Sequence, residues 1–325
     1  MWIRMWLALG LMAGGASAAD RSFELPCKVR TLAASAGGGT VWVACERPGG
    51  VYALEISAGK WEQLAHTADL ADLYPAPKGE RAVVVVPEER SNGRPMLYEG
   101  SREIGRLPFD PTLVVWSADA QSIYFHAGST IQADAWNVLG ALRTDNHSTA
   151  TKKLLAPTES LHVCSSTGHI FTGDALPDDH GGLRADTVEY DAAMNLVGRV
   201  KRFPAGRFSA TCRYVATEWS FHGPLPWEIV ETATGRRVLW SDYTGEGKKE
   251  EYVFLAWHPT RENLFLRVRY GAGDVPPVIE AFDLKTGRVI ESFPTDIDAA
   301  SWTAGGSQLV YVKGRKLILH PLVIP

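Results

Sequence analysis

The run Asp178-Asp179-His180 carries the densest set of chemical donors in the sequence. Two carboxylates and an imidazole are the groups that hold a divalent ion. Three adjacent residues do not converge easily on one ion, and Pro177 and Gly181 flank them, so the run reads as a solvated turn. His222 and Trp227, set around Pro224 and Pro226, suggest a different use. An exposed Trp in such a loop would anchor a partner; the other reading is that Trp227 opens a strand and packs inside. Asp69, Asp72, Asp296 and Asp298 stand just before short apolar runs. Of these, Asp72 and Asp298 are candidates for a channel rim, where gathered carboxylates attract cations. No catalytic residue is nominated. Gly-x-Ser-x-Gly and His-Glu-x-x-His are absent, and the run Thr244–Glu250 lacks the first Gly and last Ser or Thr of a phosphate loop. No metal or cofactor is expected.

The remaining reactive groups are Cys27, Cys45, Cys164 and Cys212. Their spacing matches no zinc motif. They are either buried thiols or disulfides, and an even count favours disulfides if the chain is exported. Three pairings exist, of which Cys27–Cys45 is the one expected. The first twenty residues supply the reason to expect export. Arg4 precedes an apolar run that ends in Ala16-Ser17-Ala18, the pattern of a leader cleaved after Ala18. The run is too short to span a bilayer, and no later segment is long enough. Residues 1–18 are therefore read as a signal peptide and residues 19–325 as one mature domain in a periplasm or outside the cell. A formal net charge of −4 offers no basic face for nucleic acid.

What positions these side chains is a repeat. Ala34, Tyr74, Trp116, Cys164, Phe208, Trp257 and Trp302 each end a short apolar run just before a polar turn. A second apolar run follows, as in "LVVWSADAQSIYFHAGS" (Leu113–Ser129). Further pairs of runs meet at Thr-Gly corners, as in "WEIVETATGRRVLW" and "VIEAFDLKTGRVIESF", where Gly accepts a positive φ. Trp136–Arg143 has helical propensity, but its place in the repeat makes it a third strand. Anchors 40 to 49 residues apart, with four strands each, have the size of propeller blades. The fold expected is all-β: a seven-bladed β-propeller with blades at about 31–64, 69–107, 111–155, 159–203, 206–240, 251–293 and 296–325. The last unit has about three strands, and the N-terminal strand at 22–30 completes it, closing the ring.

Trp116-Ser117-x-Asp119-x before an apolar strand resembles the WD40-like (PD40, TolB-type) propeller repeats. Trp257-His258-Pro259 keeps the Trp and Pro of that motif, and Trp302 with Gly306 keeps the Trp and final Gly. The other four units have lost the Trp, and the Gly-His and Trp-Asp dipeptides of true WD40 repeats are missing. The resemblance implies architecture and, as in TolB-type propellers, a scaffold that binds other proteins.

In such a blade, second-to-third strand loops and blade connections emerge on one face. The other two turns emerge on the opposite face. The long insertions (88–94, 128–135, 173–183, 220–226, 241–251 and 270–277) all fall in the first class. Loops on a rigid scaffold tend to carry function, so this face is the expected binding surface, with Asp178, Asp179, His180, His222 and Trp227 as candidates. The function expected is that of a non-catalytic module binding another exported or cell-envelope protein. The alternative is a lyase, hydrolase or ligand- or metal-binding site at the channel mouth.

Overall fold

The computed structural model describes residues 20–46, 49–66, 71–86, 95–107, 111–128, 137–154, 158–177, 183–203, 205–218, 227–240, 250–271, 276–294 and 300–322. They form seven four-stranded antiparallel sheets, with no helix among them. The chain is thus a seven-bladed β-propeller. Blades 1 to 6 take residues 29–65, 72–106, 113–153, 158–200, 207–240 and 250–294, with strands in chain order from the channel outward. Val138–Arg143 is the third strand of blade 3, as its place in the repeat requires. No described helix is long and apolar enough to cross a membrane.

The apolar pattern explains the ring. In the second strand of blade 1, Thr40–Cys45, the run is continuously buried because both faces are covered. Val41, Val43 and Cys45 pack toward blade 7, whereas Trp42 and Ala44 pack toward blade 2. Each of the seven seams between neighbouring blades holds one such apolar cluster. The core is therefore divided among seams, and a blade without neighbours would expose two apolar faces.

Polar bonds reinforce the seams. The Trp116 indole N–H donates to the Tyr74 carbonyl of blade 2 at 2.9 Å, and Trp257 donates to Arg207 of blade 5 at 2.6 Å. The motif Trp is thus an inter-blade staple. Trp302 departs from this: its buried indole nitrogen has no partner among the described residues, and its ring meets His258 edge-on instead.

The motif's other residues build the first turn. The hydroxyls of Ser35, Ser117, Ser209 and Thr303 each accept the amide N–H five residues ahead. Matching these turns by their main-chain bonds puts Ala76 and Cys164 in the hydroxyl's place. Tyr74 is therefore one residue early as an anchor and Cys164 one residue late, because Pro75 and Val163 end those inner strands. Three residues into the turn the backbone is left-handed, at Gly38, Gly79, Ala120, Cys212 and Gly306. Gly306 has a second reason to lack a side chain: a Cβ there would stand 2.2 Å from the His258 ring of blade 6.

Blade 7 is completed from the other end of the chain. Its order is Arg21–Glu24, Lys316–Pro321, Gln308–Lys313, Ala300–Trp302. The closing strand is shorter than the expected 22–30. Its ladder stops at Glu24, Pro26 has no N–H with which to continue, and Val29 and Arg30 already belong to blade 1. Cys27 bonds to Cys45 across 18 residues and ties this crossing to blade 1, as expected. The second disulfide, Cys164–Cys212, joins the first turns of blades 4 and 5 across 48 residues.

Replacing Cys164 and Cys212 together by Ser removes a cross-link whose loop-closure entropy is worth about 4 kcal/mol. Denaturant unfolding under oxidising conditions should show a loss of that order, and an unchanged midpoint would contradict a seam-locking role.

Candidate functional site

First strands run from the loop-rich face to the turn face, so their first residues form the channel rim beneath the loops. Arg30, Asp72, Glu159 and Arg207 are exposed there. Burial raises the Asp72 carboxyl above its ordinary value, and the charge of Arg30 pulls it partly back. Among the described residues the rim is thus mixed in charge. Asp69, Asp296 and Asp298 lie outside the described residues.

Below the loops of blades 3 and 4, polar side chains are buried and joined. His126 sits one residue before the end of a second strand. Its Nδ1 lies 2.6 Å from the Thr112 hydroxyl and its Nε2 lies 3.2 Å from Asn137 Oδ1. An amide oxygen only accepts, so Nε2 carries the proton and Nδ1 accepts from Thr112. Burial lowers the His126 pKa, which keeps the ring neutral. In blade 4, Thr158 donates to Asp174 Oδ1 at 2.8 Å, and burial raises the Asp174 carboxyl. Asp174 also faces Asp186 in the ladder, which continues to the pair Pro177–Leu183. The insertion expected at 173–183 is thus strand at both ends, and the run Asp178-Asp179-His180 lies outside the described residues, as does His222.

Trp227 is described, and it is buried. It opens the third strand of blade 5, donates its N–H to the Tyr252 carbonyl of blade 6 at 2.6 Å, and packs on Phe254 and Phe265. Of its two readings, the packing one describes this geometry. Among the described residues on this side of blade 5, the exposed aromatic is Trp240, 51% accessible at the loop-face end of the fourth strand. It pairs across the ladder with Glu228, which is bonded to Arg237, and the Arg237 guanidinium lies 5.8 Å from the Trp240 ring centre. As the last residue of an outermost strand, Trp240 has least to cover it.

The same seam contains an ion cluster that sequence reading missed. Arg267 lies between the rings of Tyr252 and Phe282, at 4.2 and 4.1 Å from their centres. Its guanidinium and that of Arg269 converge on the buried Glu280 at 2.8 Å. Two Arg at alternate positions of an apolar strand were the legible sign. With rings on both faces of Arg267, this cluster fixes the seam under the loops. Among the described residues, no group of three or more His, Cys, Asp or Glu could hold a metal ion.

Comparison with known proteins identifies the ring and no family. No family model matches the chain, and no curated protein matches it. Solved structures do. A chain of the Kuenenia stuttgartiensis hydrazine synthase is similar at TM-score 0.64 and 12% identity, covering 93% of this chain and 97% of that one. A chain from the crystal structure of a mitotic checkpoint complex is similar at 0.59 and 16%, covering 98% and 100%. The structure of U3-55K is similar at 0.62 and 7%, covering 95% and 99%. At these identities the likeness concerns the fold alone.

Three histidines whose pKa burial lowers give the scaffold a pH dependence. Burial lowers His162 and His258 from 6.5 to about 4, and lowers His126 as well. A depressed imidazole binds its proton in the unfolded chain first. Stability is therefore full above pH 6.5 and is lost as the pH falls toward 4. The loss is on the order of 3 kcal/mol each for His162 and His258. Asp72 and Asp174, raised by burial, act in the opposite sense. His162 stacks on Phe208, and its buried Nε2 has no partner among the described residues. A His162→Phe variant should therefore show a shallower fall of Tm between pH 6.5 and 4; an unchanged slope would contradict this.

Proposed function

We propose that this chain is exported, loses residues 1–18, and serves as a TolB-like scaffold that holds another exported or cell-envelope protein on its loop-rich face. The observation that carries this reading is the unequal construction of the two faces. The turn face is spanned by short turns bonded from blade to blade. On the other face the long sequence insertions connect strand ends that lie over buried polar pairs, such as His126 with Asn137 and Thr158 with Asp174, and over the aromatic packing of Trp227. Trp240 adds an exposed aromatic at its margin, the residue type that dominates binding energy at protein interfaces. Two disulfides agree with an oxidising compartment. A similar chain found in a checkpoint complex fits a propeller that works inside an assembly.

A likeness to a hydrazine synthase chain supports a second reading, a ligand or catalytic site at the channel mouth. The mixed rim of Arg30, Asp72, Glu159 and Arg207 is where such a ligand would be met.

Cross-linking of the tagged protein in intact cells, followed by recovery and mass spectrometry, tests the first reading. The mature chain should begin at Ala19, and one envelope protein should be captured in near-constant ratio. Trp240→Ala, or joint Ala substitution of Asp178, Asp179, His180 and His222, should weaken capture about tenfold or more with Tm unchanged. Capture that ignores all of these changes but fails with Asp72→Asn would instead favour the channel mouth.

A further inference from the structure

On the turn face, blade 6 carries a cleft of about 510 Å³ lined by Arg261, Glu262, Asn263, Asp283, Arg288 and Val289, among others. Its size suits a small organic ligand. The two carboxylates are already occupied. Glu262 accepts from the Ser209 hydroxyl at 2.6 Å and from the Thr211 amide at 2.5 Å, both of blade 5. Asp283 accepts from the Lys285 amide on one oxygen and the Thr286 hydroxyl on the other, each at 2.9 Å. The two guanidinia are not occupied. Among the described residues, the side chains of Arg261 and Arg288 make no hydrogen bond or ion pair, and both residues are exposed. Arg288 faces Asp283 across the ladder, but Asp283's oxygens are turned to its own turn.

Part of the lining is apolar. Leu264 and Ile290 contribute to the wall, and Val289 is 40% accessible, one of few large apolar side chains left exposed. The cleft thus combines two unpaired cationic forks with an apolar wall, while its two carboxylates, still charged, turn their oxygens to other donors. Guanidinium forks match planar carboxylates in bidentate geometry. The apolar wall adds affinity for a ligand with a hydrocarbon part, at roughly 25 cal/mol per Å² buried.

We infer that this cleft binds a small organic carboxylate, with the anionic group between Arg261 and Arg288 and a short apolar body against Val289 and Ile290. The site stands on the face opposite the proposed scaffold surface and does not depend on that reading.

Ligand-observed NMR titration of the mature protein with sodium octanoate tests it, with inorganic phosphate and octylammonium as comparison probes. Octanoate should bind saturably at millimolar concentration or below. Phosphate should bind about tenfold more weakly, and octylammonium should not bind. Arg261→Glu and Arg288→Glu should each weaken octanoate about tenfold or more, and Val289→Asp should do the same, while Tm stays unchanged. Arg288→Lys should retain part of the affinity, since it keeps charge and loses the fork. Absence of saturable octanoate binding, equal binding of octylammonium, phosphate binding as tight as octanoate, or indifference to the Arg substitutions would each overturn the inference. The turn-face substitutions leave partner capture on the loop face as an independent readout.

Discussion

Seven two-sided apolar sheets can bury their faces only if the ring closes, and the rest of the molecule follows from that. Closure is made by a strand whose partner lies at the far end of the chain. Arg21–Glu24 pairs with Lys316–Pro321. Around this joint the bonds are dense. The Arg21 guanidinium donates to the Ile56 carbonyl, the Trp61 indole donates to the Glu24 carbonyl, and Ala34 bridges to Thr303 between the first strands of blades 1 and 7. His320 lies between Asp20 and Glu291, at 2.7 and 2.9 Å from their carboxylates. The seams then hold the remaining sheets by repeating one device: apolar packing, with a side chain from one blade bonded to a main-chain carbonyl of the next.

This division gives the two faces different roles. On the turn face the links run from turn to turn: Ala36 to Gly79, Arg81 to Ala120, Cys164 to Cys212, Glu262 to Ser209, His258 to Gly306 and Gly305 to Ala36. Such a face has little freedom to vary. Its opposite is joined by insertions that the seams do not need, and chemistry placed there leaves the ring intact. The cleft of blade 6 is an exception on the constrained face, because the turn that forms it uses Glu262 for the seam and leaves Arg261 over.

Much of this was legible because strand periodicity and blade length are local or repetitive. The unbroken apolar run in "TVWVAC" and the recurring Trp-then-turn pattern report burial on two faces directly. The repeat's last motif position was also physically meaningful, since it is where the backbone turns left-handed, at Gly306 and even at Ala120. Anchors at Tyr74 and Cys164 slipped by one residue because Pro75 and Val163 hide the end of the run. What the sequence did not show were pairings between distant residues. Nothing local says that Trp227 is covered by blade 6 while Trp240 is not, or that Arg267 and Arg269 share Glu280. Nor does sequence reveal that Glu262 is consumed by blade 5 and Arg261 is left without an acid. These depend on which blade lies next door, which a one-dimensional pattern does not encode.

The closing strand also orders events in time. Asp20 and His320, which meet at the joint, are 300 residues apart. While the chain is being made, blades 1 to 6 have all their own strands, but blade 7 does not exist and blade 1 lacks its neighbour on that side. Non-local pairing of this kind is late and slow. Until its last strands are made the ring is therefore an open arc with one unburied apolar face at each end. Its earliest strand must wait for its last before blade 7 can form.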